Sequence, residues 1–195
     1  MSTIDLRIPL SDEDIRELRV GDAVALSGAV VTARDRAHAY LADEGLDGEL
    51  PFDLAGGVIY HCGPIVRETE AGLTVVSAGP TTSTRMNAYQ ATVVERFGVR
   101  AVIGKGGMAE ELLETFGRLG CVYFSAYGGC GALYARHITE VKDVFKREEF
   151  GSPEALWALR VEGFPVLVTM DTHGGSLHRD VRGRSQRAAE GLARG

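Results

Sequence analysis

Between about Thr74 and Tyr134 the chain alternates short apolar runs with amphipathic segments, and this alternation is the strongest constraint on its fold. "GLTVVSAGP" reads as a strand stopped by Gly79-Pro80, followed by a helix from Thr84 or Arg85 to Phe97. Met86, Tyr89, Val93, Val94 and Phe97 give that helix an apolar face. "RAVIGKGGM" is a short buried strand ending in Gly-Lys-Gly-Gly, and "AEELLETFGRLG" is a helix with Gly120 as its stop. "CVYFSAYGGCGALYARHI" repeats the scheme as strand, Gly loop and short helix. Strand–helix–strand alternation predicts parallel βαβ units with right-handed crossovers.

The flanks are richer in strand. "DAVALSGAVVTARD" predicts a strand, a break at Gly28 and a second short strand, leading into a helix over Arg34–Leu46. Further strands are expected at Val58–His61, Val141–Phe145, Ala155–Val161 and Pro165–Asp171. The expected class is α/β, three layers deep, with a second sheet packed on a central parallel one. No repeat or linker divides the 195 residues, so one domain over 1–178 is expected. From about Arg179 the chain is short of large apolar residues, and 179–195 reads as a tail or frayed helix.

Composition narrows the function. With 27 acidic against 21 basic residues and a net charge of −6, the chain is a poor nucleic-acid binder. An anionic ligand would need a few well-placed cations. No apolar run approaches the ~18 residues of a membrane span, and the acidic N-terminus lacks a signal-peptide segment, so a cytoplasmic location is the default. Cys62, Cys121 and Cys130 are odd in number and widely spaced, which fits reduced thiols and no disulfide framework.

Ligands of parallel sheets bind at the carboxyl ends of the strands. Three loops are expected there: Gly79–Arg85, Gly104–Met108 and Tyr127–Gly131. The first places Thr81, Thr82, Ser83 and Thr84 directly before Arg85, and the second holds Lys105 between glycines. Arginine grips a carboxylate with paired hydrogen bonds and lysine acts as a point charge. The bland alternatives are an N-cap at Ser83 or Thr84 and two solvated cations. Arg34 stands at a similar strand-to-helix junction, where Asp35 and His38, three apart, are candidates to pair with each other.

Other motifs are weaker. "GKGG" lacks P-loop spacing. "GGCGA" has Cys130 where a nucleophile elbow has its nucleophile, but Ala132 replaces the last glycine. "DTHGGS" reads as a turn with a capping Asp171, leaving His173 structural or exposed. His61 and Cys62 have no metal-ligand spacing to other residues.

"ARDRAH", "GPTTSTRMN", "IGKGGM" and "MDTHGGSLH", in this order, resemble the β component of iron–sulfur hydro-lyases: class I fumarases and L-tartrate dehydratases. The resemblance runs from about Leu6 to His178. It implies a swivelling β/β/α domain with a central parallel sheet and a second antiparallel one. It implies reversible addition of water to a small dicarboxylate, fumarate first and tartrate second. It also implies a [4Fe–4S] cluster bound by a separate α subunit rather than by this chain, in a hetero-oligomer for which two α and two β subunits is one arrangement. Carried over by position, Arg34, Arg85, Lys105 and Thr82 fall on substrate binding and Thr81 on the catalytic base. "DTHGGS" departs from the family's more usual Gly-Asn-Ser ending.

Two rival readings stand beside this one. The cationic loops would equally serve a stand-alone module that binds a small anion without catalysis. A cysteine hydrolase built on Cys130 is more distant. An exposed apolar patch beside the loops favours the subunit reading, since a partner must seal the site from water.

Overall fold

The computed structural model describes residues 3–43, 50–70 and 72–193. The chain opens with β1 (Ile4–Arg7), α1 (Asp12–Glu17), β2 (Ala23–Thr32), α2 (Asp35–Asp43) and β3 (Val58–Tyr60). A hairpin of β4 (Ile65–Thr69) and β5 (Gly72–Ser77) follows, then a 3-10 turn (Ser83–Met86) and α3 (Asn87–Phe97). Next come β6 (Ala101–Gly104), α4 (Leu112–Leu119), β7 (Val122–Ser125) and α5 (Gly131–Ala135). The last elements are β8 (Ile138–Phe145), α6 (Arg147–Phe150), β9 (Leu156–Met170) and α7 (Leu177–Ala193).

Strands β1, β2, β3, β6 and β7 pair in parallel, in that order. The long β9 runs antiparallel to β7, β8 and β2. Because β9 bonds to both β7 and β2, the pairings β2–β3–β6–β7–β9–β2 close on themselves. The β4–β5 hairpin is a separate antiparallel sheet.

Side-chain alternation builds two cores on opposite faces of these strands. Val30, Tyr60, Ile103 and Phe124 point into one core, joined by Leu159, Phe164 and Val168 of β9. The hairpin and β8 pack on that side through Val66, Leu73 and Val141. The neighbours Val31, Ile59, Val102 and Tyr123 point the other way, against Leu41 of α2, Val93 and Val94 of α3 and Phe116 of α4. The result is helices over a mostly parallel sheet over antiparallel strands. Burial on both faces explains the unbroken apolar runs of β3 and β6, and each large side chain contributes roughly 1.5–3 kcal/mol.

Several elements differ from the sequence expectation. The Leu73–Ser77 run is not a strand of the parallel sheet: β5 pairs only with β4, and the parallel units are β3–α3–β6 and β6–α4–β7. The break expected at Gly28 is a bulge inside one strand, with the register against β9 shifting between Leu26 and Gly28. The two strands expected at 155–161 and 165–171 are one, because β9 continues through Pro165 while changing partners from β8 to β7. Helix α2 runs over Asp35–Asp43, and the rest of the segment expected to be helical lies outside the described residues. Gly120 ends α4 in the left-handed conformation, as expected. The stretch after His178 continues α7 to Ala193. Among the described residues no helix is long and apolar enough to cross a membrane.

Candidate active site

The hydroxyl run is built into the carboxyl end of the sheet by its backbone. Past Tyr60 and Ile103, β3 and β6 diverge, and the segment Thr81–Ser83 fills the gap. Thr81 N–H donates to the His61 carbonyl at 2.7 Å, and Lys105 N–H donates to the Thr81 carbonyl at 3.3 Å. Ser83 N–H donates to the Lys105 carbonyl at 3.0 Å, so Thr82 and Lys105 lie side by side as parallel neighbours. Thr81 and Lys105 thus share one rigid edge although the preceding strand, β5, lies outside the sheet.

The four hydroxyls then divide. Ser83 is fully buried, and its Oγ lies 2.9 Å from His61 Nδ1 and 2.8 Å from the Tyr123 hydroxyl. Thr81, Thr82 and Thr84 make no side-chain hydrogen bond to any described residue. Neither Ser83 nor Thr84 caps a helix, so the N-cap reading fails: the turn starts from Thr82 without a side-chain cap. Thr81 is half-buried, and Thr82 and Thr84 are exposed.

The three cations differ in what holds them. Arg34 lies across Gly63, whose missing side chain gives the guanidinium room: a Cβ there would stand 2.8 Å from Arg34 Nη1. Its Nη2 donates to Glu154 Oε1 at 3.2 Å, and its buried Nε has no partner among the described residues. Arg85 is 49% exposed and is gripped on two sides by Asp35, with Nε donating to Oδ1 at 2.9 Å. Asp35 therefore pairs with Arg85 and not with His38, whose Nδ1 meets the Arg34 carbonyl at 3.0 Å. Lys105 pairs with no carboxylate among the described residues, and its stem passes Gly128 of the third loop. That loop also abuts the first, since Ala78 N–H donates to the Gly131 carbonyl at 3.0 Å. All three expected loops therefore meet at one edge, with Arg34 on the adjoining strand end.

The glycines of "GKGG" are required by shape. Gly107 has φ of 76°, and a Cβ there would meet His178 Cδ2 at 2.5 Å. His178, from "MDTHGGSLH", is thus packed on the lysine loop and stands edge-on to Tyr123. Its own Asp171 is structural, as the capping reading expected. The carboxylate accepts from the backbone N–H groups of Val20, His173 and Gly175 at 2.8–3.0 Å. Burial raises its pKa, but these backbone bonds and the His173 charge outweigh that, and the net shift is downward. His173 is exposed and bonds the Arg16 carbonyl.

Sequence reasoning missed what lies beneath the edge. His61 Nε2 meets Gln90 Oε1 at 3.0 Å, and the His38 ring stands edge-on to His61 at 4.9 Å. Burial pushes His61 well below its ordinary pKa, helped by the neighbouring His38, and burial takes His38 down to about 4. Both rings are neutral at physiological pH. One signal was available: Gln90 sits at helical spacing between Met86 and Val93, a polar residue on a buried stripe.

The cysteines of this chain do not fit a cluster site. Cys62 and Cys121 are buried and their thiols are pushed up, Cys62 to about 12. Among the described residues no group of three His, Cys, Asp or Glu could hold a metal ion. Among the described residues Cys130 has no histidine partner, which removes support from the hydrolase reading.

The family model described as Fumarase C-terminus matches residues 1–181. The chain belongs to this family. It is 48% identical over 179 residues to a putative fumarate hydratase class I of Geobacillus stearothermophilus, covering 91% of this chain and 34% of that protein. It is 44% identical over 174 residues to a putative L(+)-tartrate dehydratase subunit beta of Methanocaldococcus jannaschii, covering 88% and 89%. To the L(+)-tartrate dehydratase subunit beta of Escherichia coli K12 it is 40% identical over 173 residues, covering 88% and 85%. The chain thus spans about a third of the fumarate hydratase and most of each β subunit. In this chain the β/β/α architecture brings Arg34, Thr81 and Lys105 to one edge of the sheet.

Proposed function

We propose that this chain is the β subunit of a hydro-lyase that reversibly hydrates fumarate to malate and is inactive without a separate α subunit. One observation carries the reading. Thr81 is fixed by backbone bonds on both sides, its hydroxyl has no partner among the described residues, and beside it stands Lys105, free of any carboxylate there. An edge so rigid and so incompletely paired suits a ligand that brings its own negative charge.

The roles follow from the chemistry. Removing a proton next to a carboxylate builds negative charge on that carboxylate, and cations that tighten as the charge grows lower the barrier. Lys105 and Arg34 hold the substrate carboxylates, with Arg34 already oriented by Glu154. Arg85 contributes from the rim, where its contact with Asp35 leaves N–H groups to spare. Thr82 supports binding beside Thr81. Thr81 takes the proton as its alkoxide, the hydroxyl having first released its own proton to solvent, a loss that the cations of a desolvated site favour.

The cover is supplied by the partner. Ile65, Tyr127 and Leu133 are 62%, 63% and 46% exposed. Tyr127 and Leu133 flank the third loop, and Ile65 pairs in the hairpin with Ser77, which abuts Gly131. This apolar rim beside the site favours the subunit over a stand-alone anion-binding module. The [4Fe–4S] cluster is assigned to the α subunit because the thiols here do not fit it. The assembly is cytoplasmic, with two α and two β subunits as its simplest form.

L-tartrate dehydration is the second reading, favoured by the 85–89% coverage of the tartrate dehydratase β subunits. The test is anaerobic purification of this chain from its native cells, with iron, acid-labile sulfide and both activities measured. A stoichiometric iron–sulfur partner that hydrates fumarate supports the first reading, and activity on tartrate alone replaces it with the second. A lone colourless protein overturns both.

A further inference from the structure

We propose that His38, Gln90, His61, Ser83 and Tyr123 form one directional hydrogen-bond relay beneath the site, which positions the Thr81–Lys105 edge and ties it to Arg34. As a positioning device for catalysis the relay rests on the hydro-lyase reading; as an arrangement of protons it does not.

The direction is forced from one end. The Arg34 carbonyl can only accept, so the 3.0 Å contact requires the His38 proton on Nδ1. In the neutral ring Nε2 is then an acceptor. It is buried and makes no hydrogen bond of normal geometry, and the same is true of Gln90 Nε2. Yet the Gln90 side chain lies close enough to His38 to act on its charge. Gln90 Nε2, a donor without an acceptor, and His38 Nε2, an acceptor without a donor, belong to side chains that both lie against His61, and the relay is completed where the two meet. With its nitrogen so used, Gln90 Oε1 accepts from His61 Nε2–H at 3.0 Å. His61 Nδ1 must then accept from the Ser83 hydroxyl at 2.9 Å, and Ser83 Oγ accepts from the Tyr123 hydroxyl at 2.8 Å. Tyr123 starts the chain, with His178, packed on Gly107, edge-on to its ring.

The ends of this relay give it a purpose. One is the backbone of Arg34, and the other is Tyr123, whose hydroxyl lies beside Gly104 at the end of β6. Ser83, in the middle, follows Thr81 and Thr82. The Arg34 segment is bonded to this dry chain through its carbonyl and the Thr81–Arg85 segment through Ser83, while Lys105 is tied to Ser83 by a backbone bond. The chain also excludes alternatives, since Gly104 beside it has no room for a Cβ: one would collide with Ser83 Oγ and approach the Tyr123 hydroxyl to 2.9 Å. A buried network fixes one arrangement of its neighbours when each member is satisfied, which here requires the Gln90 amide to reach His38.

Two measurements test this. Long-range proton–nitrogen NMR of the imidazole rings, on the full chain near neutral pH, should show two neutral histidines of opposite tautomer: His38 with its proton on Nδ1 and His61 with its proton on Nε2. A charged ring, or the same tautomer in both, overturns the relay. In the reconstituted two-subunit enzyme, Ser83→Ala should lower kcat about tenfold with KM little changed, because it loosens Thr81 without removing a charge. Tyr123→Phe should lower kcat less, and the double variant should be no worse than Ser83→Ala, since Tyr123 acts only through Ser83. Independent, multiplying losses overturn the positioning role. If the wild-type complex acts on neither fumarate nor tartrate, the hydro-lyase reading falls and the positioning role with it, while the NMR result still decides the relay.

Discussion

Two loops in this chain carry nearly the same advertisement in sequence: "GPTTSTR" and "DTHGGS" each follow an apolar run with hydroxyls, glycine and a charged or titratable group. In the second, the polar groups are used internally. Asp171 accepts from three backbone N–H groups, and His173 Nε2 meets both the Thr172 hydroxyl and the Arg16 carbonyl. In the first, the backbone is equally well bonded, yet three of the four hydroxyls and the neighbouring Lys105 are left without partners among the described residues. A polar loop whose side chains satisfy its own backbone is holding itself in shape. A loop fixed by its backbone, with side chains to spare, is ready to hold something else.

The comparison is most easily broken at Gly104. Gly104→Ala drives a methyl into Ser83, and we expect a loss of about 3 kcal/mol or more in denaturant unfolding. A near-neutral result would mean that the packing under the first loop is slack. Acid separates the two loops next. His38, at about 4 when folded against an ordinary 6.5, binds fewer protons folded than unfolded, so its stabilising contribution is complete above pH 6.5 and falls as pH drops toward 4. The loss is about 3 kcal/mol across that window, with His61 acting in the same direction. Asp171, lowered below its ordinary 3.8, acts only at more acid pH. Unfolding free energy flat between pH 6.5 and 4 would show that the histidines are solvated.

Substitutions should then exchange stability for activity between the loops. Asp171→Ala should cost about 2–3 kcal/mol of stability and leave kcat/KM of the complex intact below its melting temperature. Lys105→Ala should do the reverse: about 2 kcal/mol of transition-state stabilisation lost, read from kcat/KM, with melting unchanged within a degree or two. If both variants affect the same quantity, the distinction between the loops is wrong. The smallest effect should be at Asp35–Arg85, where a double-mutant cycle on stability should give less than about 1 kcal/mol because both side chains are partly exposed.

Much of this was legible in the sequence, unevenly. The parallel strands β3, β6 and β7 announce themselves as short apolar runs because both faces are buried, and Gly120 marks its helix end because only glycine takes that conformation cheaply. Strand partners were not legible. The β5 run looks like a sheet strand, and only the hairpin pairing with β4 shows otherwise; β9 looks like two strands because Glu162 and Gly163 interrupt its apolar pattern while it changes neighbours. At the site, Arg34 and Lys105 could be chosen by residue type and position, whereas Thr81 stood out from the hydroxyl run only through the family resemblance. The Asp35–Arg85 contact could not, since it joins residues fifty apart. The buried histidines stayed hidden because, in sequence, a buried polar residue with partners looks like an exposed one without them.

The strand circuit closed by β9 has a further consequence, for how the unit is passed between proteins. A sheet with open central edges relies on its neighbours to cover them, but here the ring of pairings is completed within the chain. Such a unit can travel. Relatives contain it both as nearly a whole subunit and as about a third of a longer chain. Fusion or separation would then alter how often the two halves of a site meet, by changing their effective concentration, while leaving the shape of each half intact.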